Sequence, residues 1–381
     1  MNPLRGLIAD RIRATGPISL AEYMGLSLYH PSLGYYARAS RRTGRTGDFF
    51  TSVDVGPVFG ELLARQFAEM WRILQEQPAA GGRRPVDFDL VEAGAGSGRL
   101  ARDILDAAAS HHRDFYDIVR LHLVEIAPAA RAAQRDTLGP HVSKLASSSE
   151  SVPDSVCGVM FANELLDALP THAVVMREDG LREIFVDLQG DELIERELEP
   201  STPQIARQLA QAGGRLEPGW RAEINLEATA WIRRAARSLS RGFLLVMDYG
   251  HEAQELYSVT HSAGTLMTFH QHTSDERESL LRDPGERDMT AHVDLTTMAR
   301  TAEGEGLLTL GRLDQTYFLL GLGLAEMLDA PQFDRASLKR RLALKTLMLP
   351  GGLGSTLKVL IFGKEVGRPA LKGLSYRIRL T

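Results

Sequence analysis

The sequence predicts an α/β fold in which helices cover a mostly parallel sheet. From residue 88 onward, short apolar runs alternate with segments of helical periodicity, which is the pattern of consecutive βαβ units. A glycine cluster separates the first apolar run, FDLVEA, from the first helical segment. A strand, a glycine turn and a helix in this order form the ligand edge of Rossmann-like sheets, at the carboxyl ends of the strands.

Composition restricts the class of protein. The chain has 381 residues, 44% hydrophobic and 24% charged, with a formal net charge of -5. No apolar run reaches the roughly 18 residues of a membrane span, and Lys and Arg are too scattered for a nucleic-acid surface. Cys157 is the only cysteine, which excludes an internal disulfide and indicates a reducing compartment. The first residues carry arginines but no apolar signal core, so we interpret them as a folded helix and expect a cytoplasmic location; a transit peptide is the alternative.

The N-terminal part is predicted to be helical. Apolar residues from Leu4 to Ile12 recur at helical spacing, and Ser19 followed by Glu22 forms a capping box for a second helix. The stretch PAAGGRRP reads as a linker. We therefore expect a helical module over residues 1–80 and a Rossmann-like domain over residues 81–381.

Two departures from regular α/β alternation are predicted within that domain. Residues from about 171 to 222 read as a β-rich insertion after the fourth strand, with turns at Asp179-Gly180 and Gly190-Asp191. Residues from about 251 to 300 are polar, rich in His, Asp and Gly, and too long for an ordinary connection. We expect this segment on the substrate side. Five apolar runs supply strands of an expected seven-stranded sheet: FDLVEA, RLHLVEI, SVCGVMFAN as the fourth strand, GFLLVMDYG as the fifth, and LKVLIFG.

The glycine cluster departs from two known phosphate-binding patterns. Gly94, Gly96 and Gly98 are spaced G-x-G-x-G, and Arg99 stands where a dinucleotide fingerprint has its third glycine. No Gly-Lys-Ser or Gly-Lys-Thr follows, which excludes a Walker loop. A tight turn without a ligand is the alternative.

Two acids lie near the glycines, and one of them discriminates between ligands. Glu125, at the end of the second strand, is suited to both hydroxyls of a ribose in either an NAD or an S-adenosylmethionine site. Glu92, two residues before the first glycine, would repel a pyrophosphate and attract an ammonium or sulfonium. We therefore expect S-adenosylmethionine as the cofactor, with Glu92 and Glu125 among its binding residues and NAD as the alternative. The separation of about thirty residues between Gly94 and Glu125 exceeds the roughly twenty typical of such units, and the stretch HHRDFYD accounts for the excess.

Polar residues follow the fourth strand in ANELLDALP, where methyltransferases of this fold place residues that contact the methyl acceptor. On a helical turn Glu164 and Asp167 would share a face, beside Asn163, and carboxylates suit a cationic acceptor such as a guanidinium. The alternative is a helix start with solvated acids and Asn163 as its cap. Asp248 and Tyr249, at the end of the fifth strand, either contact the acceptor or are structural.

A family resemblance extends over nearly the whole chain. The sequence resembles the MidA-like methyltransferases, relatives of the mitochondrial complex I assembly factor. The helical N-terminal module and the GDFFTS loop make the likeness specific, because methyltransferases in general lack them. The motifs that carry it, in order, are GPISLAEYM, HPSLGYYA, GDFFTS, GPVFGELLARQ, VEAGAGSGRLARDIL, ANELLDALP, MDYG and RDMTAHVDL.

The resemblance implies a class I Rossmann-like fold whose N-terminal helical module covers the cofactor site. It implies an S-adenosylmethionine-dependent protein-arginine methyltransferase, with a subunit of a complex I type assembly as substrate. An assembly chaperone that binds the cofactor without turnover is the alternative. By this likeness Gly47, Asp48 and Phe49 would close over the cofactor. The remaining assignments are cofactor contacts by Gly94, Gly96, Gly98 and Glu125, and acceptor contacts by Asn163, Glu164 and Asp167.

The histidine-rich segment offers candidate metal ligands. His270, His272, His292 and Asp294 combine imidazole and carboxylate groups, which suit zinc or iron. An H-x-H pair in a polar segment is more often solvated than bound to an ion, so we expect no metal.

Overall fold

The computed structural model describes residues 2–37, 52–76, 87–270, 273–275, 280–328, 344–347 and 356–376. The α-helices among them are α1 (Pro3–Thr15), α2 (Leu20–Tyr29), α3 (Val58–Glu76), α4 (Arg99–His111), α5 (Arg113–Ile118), α6 (Pro128–Leu138), α7 (Pro203–Ala212), α8 (Leu226–Ser238), α9 (Ala253–Leu256), α10 (Leu295–Gly304), α11 (Gln315–Gly321) and α12 (Leu324–Leu328). None of these helices is both long enough and apolar enough to cross a bilayer.

The strands of the same residues are β1 (Ile18–Ser19), β2 (Phe88–Ala93), β3 (Val119–Val124), β4 (Leu145–Ser149), β5 (Val156–Asn163), β6 (His172–Arg177), β7 (Gly180–Gln189), β8 (Glu192–Leu198), β9 (Arg221–Ile224), β10 (Leu239–His251), β11 (Met267–His270), β12 (Thr273–Asp275), β13 (Asp288–Thr290), β14 (Val293–Asp294), β15 (Leu308–Asp314) and β16 (Leu357–Lys364).

The chain divides into two compact units, each assembled from separate segments. The insertion unit comprises described residues within 1–49, 165–232 and 249–301, and the sheet unit those within 50–164, 233–248 and 302–381. This division groups the N-terminal helices with the β-rich insertion and places α3 with the main sheet. It differs from a boundary near residue 80, and the functional assignment of residues 1–80 and 81–381 stays a prediction.

The sheet unit contains the predicted parallel sheet. Its strand order is β15-β16-β10-β5-β2-β3-β4, in which β10, β5, β2, β3 and β4 run parallel and β15 pairs antiparallel with β16. The central strands are apolar on both faces because helices cover both, as a parallel sheet requires. The predicted α/β class is confirmed by this topology.

The core of the sheet unit forms where α3 and α4 pack against the sheet. Phe67 of α3 lies against Phe161 of β5, with ring centroids 5.0 Å apart, and Phe88 of β2 meets Phe115 of α5 edge to face at 5.4 Å. All four side chains are fully buried. Aromatic pairs of this kind add about 0.5 to 1.5 kcal/mol beyond the burial of their area. The packing fixes the sheet whose carboxyl edge carries the glycine cluster.

The insertion unit is built on an antiparallel sheet of order β1-β7-β6-β9, with β8 paired to β7. The predicted turns are confirmed, since β7 begins at Gly180 and ends one residue before Gly190. Helices α1 and α2 bury Ile8 and Leu20 in the same cluster as Ile184 of the sheet. The predicted β-rich insertion therefore shares one core with the N-terminal helices.

The predicted capping box of α2 is formed in part. The hydroxyl oxygen of Ser19 accepts a hydrogen bond from the Glu22 N–H at 3.1 Å, as expected of an N-cap. The Glu22 carboxylate pairs with Arg11 of α1 at 2.9 Å. The second acid of the motif thus links two helices.

Candidate functional site

The carboxyl ends of four neighbouring parallel strands form one edge of the sheet unit. In the register of the ladders, Ala93 of β2 lies opposite both Val124 of β3 and Ala162 of β5. Asn163 of β5 lies opposite Met247 of β10. The residues that follow these positions are the glycine cluster, Glu125, Glu164 and Asp248, so the topology brings the predicted groups of the sheet unit to one edge.

The glycine cluster forms a turn that only glycine adopts without strain. Gly94, Gly96 and Gly98 have φ values of 70°, 50° and 82°. The N–H groups of Gly94 and Ala95 donate to the carbonyl oxygen of Val124, at 2.9 and 3.1 Å, which fixes the turn to β3. A Cβ at Gly98 would lie 3.0 Å from the Cδ1 of Leu123, whereas one at Gly96 would meet no atom within 4 Å. The loop is therefore tight on its inner side and open at Gly96.

Glu125 contacts the glycine loop directly. Its Oε2 accepts a hydrogen bond from the Gly96 N–H at 2.8 Å, and its Oε1 accepts one from the Ala127 N–H at 2.8 Å. A carboxylate has about four acceptor positions, so these two bonds leave the others for further donors.

Gln134 supports the same loop, and sequence reasoning missed it. Its Nε2 donates to the Gly96 carbonyl oxygen at 2.9 Å, and its Oε1 accepts from the Ser148 hydroxyl at 2.6 Å. The side chain is fully buried. A polar residue on the inner face of the predicted helix α6 is the signal that could have identified it.

Glu92 has a different local role from the one its charge indicates. The side chain is buried, and its Oε2 accepts a hydrogen bond from the N–H of Ala101, in the first turn of α4. The pKa of Glu92 is raised to about 8, mainly by burial; the Ala101 hydrogen bond opposes this shift, and the nearby acids Glu125 and Asp103 contribute to it. Glu92 therefore caps α4 and is mostly protonated at neutral pH, so the expected attraction of a cation by this carboxylate is weaker than the sequence argument assumes.

Asn163 and Glu164 end β5 with a strained backbone. Glu164 has a φ of 52°, a region that residues other than glycine rarely adopt. Its N–H donates to the Met247 carbonyl oxygen at 2.8 Å, and its Oε1 accepts from the Ser52 N–H at 3.2 Å and from the Asn163 Nδ2 at 3.1 Å. The Oδ1 of Asn163 is buried and has no hydrogen-bond partner among the described residues. An unsatisfied buried acceptor of this kind suits a ligand that donates a hydrogen bond.

The Glu164 carboxyl is partly ionised near neutral pH. Its pKa is raised to about 7, mainly by burial; the hydrogen bonds from Ser52 and Asn163 oppose this shift, and the charges of Asp248 and Asp54 contribute to it. Asp248 is fully buried, and Asp54 forms a 2.9 Å ion pair with Arg99. Sequence reasoning did not single out Ser52 or Asp54, because no pattern links that loop to the end of β5.

Asp167 belongs to the insertion unit. The predicted helical turn across Glu164 and Asp167 is not formed, because the chain from Glu164 to Pro170 consists of bends and turns. The Asp167 side chain is buried, and its carbonyl oxygen accepts from the Ala291 N–H at 2.9 Å. Its place at the acceptor stays a prediction. The loop residues Gly47, Asp48 and Phe49 lie outside the described residues.

Comparisons with known proteins identify the chemistry. A family model described as "Putative S-adenosyl-L-methionine-dependent methyltransferase" matches residues 62–313. The protein named protein arginine methyltransferase NDUFAF7, mitochondrial, is 30% identical over 352 residues in Mus musculus, covering 85% of this chain and 75% of the relative. The protein of that name in Homo sapiens is 30% identical over 351 residues, covering 85% and 74%.

One solved structure resembles the chain over almost its full length. It is a Burkholderia thailandensis protein bound to S-adenosyl-homocysteine, with a TM-score of 0.84 and 26% identity, covering 98% of this chain and 94% of that one. The predicted fold class, enzyme class and cofactor are confirmed by these similarities.

The expected cytoplasmic location is wrong. The relatives from Mus musculus and Homo sapiens are named as mitochondrial proteins. A folded first helix and a single cysteine do not distinguish the cytoplasm from mitochondria, so neither feature could predict the location.

The sheet edge, the glycine loop and the matched relatives lead to one conclusion: the chain belongs to this family of S-adenosylmethionine-dependent methyltransferases.

Proposed function

We propose that the chain methylates a protein arginine, whose guanidinium binds at Glu164, and that the acceptor protein is a subunit of a complex I type assembly. The observation that carries the proposal is the Glu164 carboxyl at the end of β5, with a pKa near 7 and with Asp54 and Asp248 contributing negative charge around it. The names of the relatives, which are arginine methyltransferases, support the acceptor type.

The glycine loop and Glu125 fit the cofactor. Glycines with positive φ let a ligand approach the backbone closely, and the space beside Gly96 is open. The Glu125 carboxylate retains acceptor positions for two ribose hydroxyls while it holds the loop. The unpartnered Asn163 Oδ1 offers a further acceptor at the same sheet edge. We assign Gly94, Gly96, Gly98 and Glu125 to cofactor binding, Glu92 to support of the loop, and Gly47, Asp48 and Phe49 to its cover.

Glu164 performs the work on the acceptor. When bound, S-adenosylmethionine supplies a methyl group on a sulfonium, and its carbon–sulfur bond breaks as the carbon–nitrogen bond to the acceptor forms. The ionised Glu164 carboxylate accepts hydrogen bonds from the guanidinium, whose planar donors match it, and so orients one nitrogen. The same carboxylate accepts the proton which that nitrogen loses. Ser52 and Asn163 hold Oε1 in place, so the carboxylate is oriented before the acceptor arrives.

The acceptor can be identified by transfer of label. The full chain is incubated with methyl-labelled S-adenosylmethionine and a lysate of its source organism, and the labelled residues are mapped by mass spectrometry. We expect label on arginine with the wild type and with the control Glu150→Gln, whose side chain is 63% exposed, and none with Glu164→Gln. Label on another residue type or on a small molecule contradicts the proposal. Cofactor binding without any transfer supports the assembly chaperone instead.

A further inference from the structure

Three histidines from distant parts of the chain meet in the insertion unit. His251 ends β10, His261 ends the 3-10 helix Val259–His261, and His292 lies between β13 and β14. Each offers a ring nitrogen, and these nitrogens all lie within 4.8 Å of one another. The ring centroid of His251 is 4.6 Å from that of His261 and 5.0 Å from that of His292. All three side chains are partly buried.

The backbone around this tri-histidine cluster is held by regular structure. β10 and β14 pair in parallel, with Gly250 opposite Val293 and His251 opposite Asp294. The N–H of His292 donates to the Thr265 hydroxyl at 3.0 Å. His251 thus lies in this ladder and His292 directly precedes it, so the backbone of both is held by regular structure, as a preorganised site requires.

Glu255 lies beside the imidazoles of His261 and His251. Its carbonyl oxygen lies 3.0 Å from the Nδ1 of His261, which assigns the proton of that ring to Nδ1 and leaves Nε2 as an acceptor. Its carboxylate Oε1 lies 3.1 Å from the Nδ1 of His251. Metal-binding histidines typically donate their second ring N–H to a carbonyl or carboxylate, as His261 does to the Glu255 carbonyl oxygen. The Nδ1 of His292 is buried and has no hydrogen-bond partner among the described residues, so it supplies an unused ligand atom.

We propose that His251, His261 and His292 bind one divalent transition-metal ion of the zinc type. Three imidazoles with one open position form a known zinc coordination set. Tetrahedral zinc at about 2.0 to 2.1 Å from nitrogen needs ligand atoms about 3.3 Å apart, which small side-chain rotations provide from the present spacing. A water completes the coordination, and Glu255 acts as a positioning residue. The ion links the segment that carries His251 and His261 to the strand after His292.

This site differs from the histidines that the sequence singled out. His272 and the side chain of His270 lie outside the described residues. Asp294 is not part of the cluster. Its carboxylate accepts hydrogen bonds from the N–H and hydroxyl of Thr297 and from the Tyr257 hydroxyl. His292 is the one residue common to both sets. All three histidines belong to the insertion unit.

Metal titration tests the proposal. Untagged full-length protein is treated with EDTA, dialysed, and titrated with ZnCl₂ by calorimetry and with CoCl₂ by visible spectroscopy. We expect one ion per chain and the intense d–d absorption of low-coordinate cobalt bound to nitrogen. The variants His251→Gln, His261→Gln and His292→Gln should each weaken binding at least 100-fold, and Glu255→Gln by about 10- to 100-fold.

The control variant is His111→Gln, which changes an exposed histidine of the sheet unit and should bind zinc as the wild type does. Circular dichroism in EDTA shows whether each variant is folded; a ligand variant that does not fold is replaced by His→Asn at the same position. A wild-type protein that binds no zinc would overturn the proposal. So does zinc binding of unchanged affinity in folded His292→Gln.

Discussion

The N–H of Gly96 donates a 2.8 Å hydrogen bond to Oε2 of Glu125, which lies twenty-nine residues further along the chain. The long separation has a structural cause, because α5 (Arg113–Ile118) is inserted between α4 and β3 where the HHRDFYD stretch was expected to account for it. The bond joins the turn after β2 to the end of β3. If Glu125 binds the cofactor as proposed, one carboxylate couples cofactor binding to the conformation of the glycine loop.

Replacement of Glu125 should weaken cofactor binding. Glu125→Ala removes the acceptor of the Gly96 N–H as well as the expected acceptors of the ribose hydroxyls. We expect the affinity for S-adenosyl-homocysteine to fall by about 1 to 3 kcal/mol, the usual cost of lost charge-assisted hydrogen bonds. Calorimetric titration measures this. Glu150→Ala, an exposed acid paired with Arg131 at 2.7 Å, is the control and should bind normally; equal affinity in both variants would exclude Glu125 from the site.

The rate of methyl transfer should depend on the ionisation of Glu164. Because its pKa is near 7, the carboxylate that binds a guanidinium and accepts a proton predominates only above neutral pH. We expect kcat/KM to fall about tenfold for each pH unit below 7 and to level off above it. Glu164→Gln should reduce the rate by about 10² or more and abolish this pH dependence, with cofactor affinity retained. Residual activity with the wild-type pH profile would assign the titration to another group.

Periodicity and turn chemistry predicted the parallel sheet and the insertion, because both depend on local patterns. The alternation of apolar runs and helices identified β2, β3, β5, β10 and β16, and the Asp-Gly and Gly-Asp pairs marked the meander. Two strands of the main sheet were missed. β4 reads LASSS, with too few apolar residues for a buried strand, and β15 lies at the end of the strand order, where one face needs less apolar cover.

The candidate site was predicted in part, for a different physical reason. The carboxyl ends of parallel strands must meet at one edge, so Gly94, Glu125 and Asn163 could be grouped from the sequence. The burial of the acidic side chains at this edge could not be predicted from the sequence. Glu92 caps a helix in a dry environment, and Glu164 adopts a positive φ that breaks the expected helical turn. The contact of Ser52 with Glu164 joins residues 112 positions apart, which no local pattern encodes.

The stability of the fold should decrease with rising pH through Glu92. The pKa of Glu92 is about 8 in the folded state and 4.5 in the unfolded chain, so the native state favours the neutral carboxyl. The stabilisation is complete below the unfolded pKa and is lost as the pH rises through 8. Glu92→Gln keeps an acceptor for the Ala101 N–H and cannot ionise. We compare the unfolding free energy of the wild type with that of the variant. The wild-type value minus the variant value should fall by a few kcal/mol between pH 5 and 8, at about 1.4 kcal/mol per pH unit.

Urea unfolding at pH 5, 6.5 and 8 measures this difference. Glu150→Gln, which removes an exposed carboxylate, should keep a constant difference from the wild type over the same range. A difference for Glu92→Gln that does not change with pH would show that Glu92 is ionised in the folded protein. In that case the carboxylate would retain the negative charge that the sequence argument assigned to it.

Gly98→Ala should destabilise the glycine loop and weaken cofactor binding together. At a φ of 82° an added Cβ is strained, and it would also lie 3.0 Å from Leu123, which must move. We expect a loss of about 1 to 3 kcal/mol in unfolding free energy and a measurable loss of affinity for S-adenosyl-homocysteine. Gly6→Ala is the matched control: Gly6 lies inside α1 with no atom within 4 Å of an added Cβ, so the same substitution should stabilise by about 0.5 to 1 kcal/mol. If Gly98→Ala instead matched the wild type in both measurements, the left-handed turn would not be the conformation that binds the cofactor.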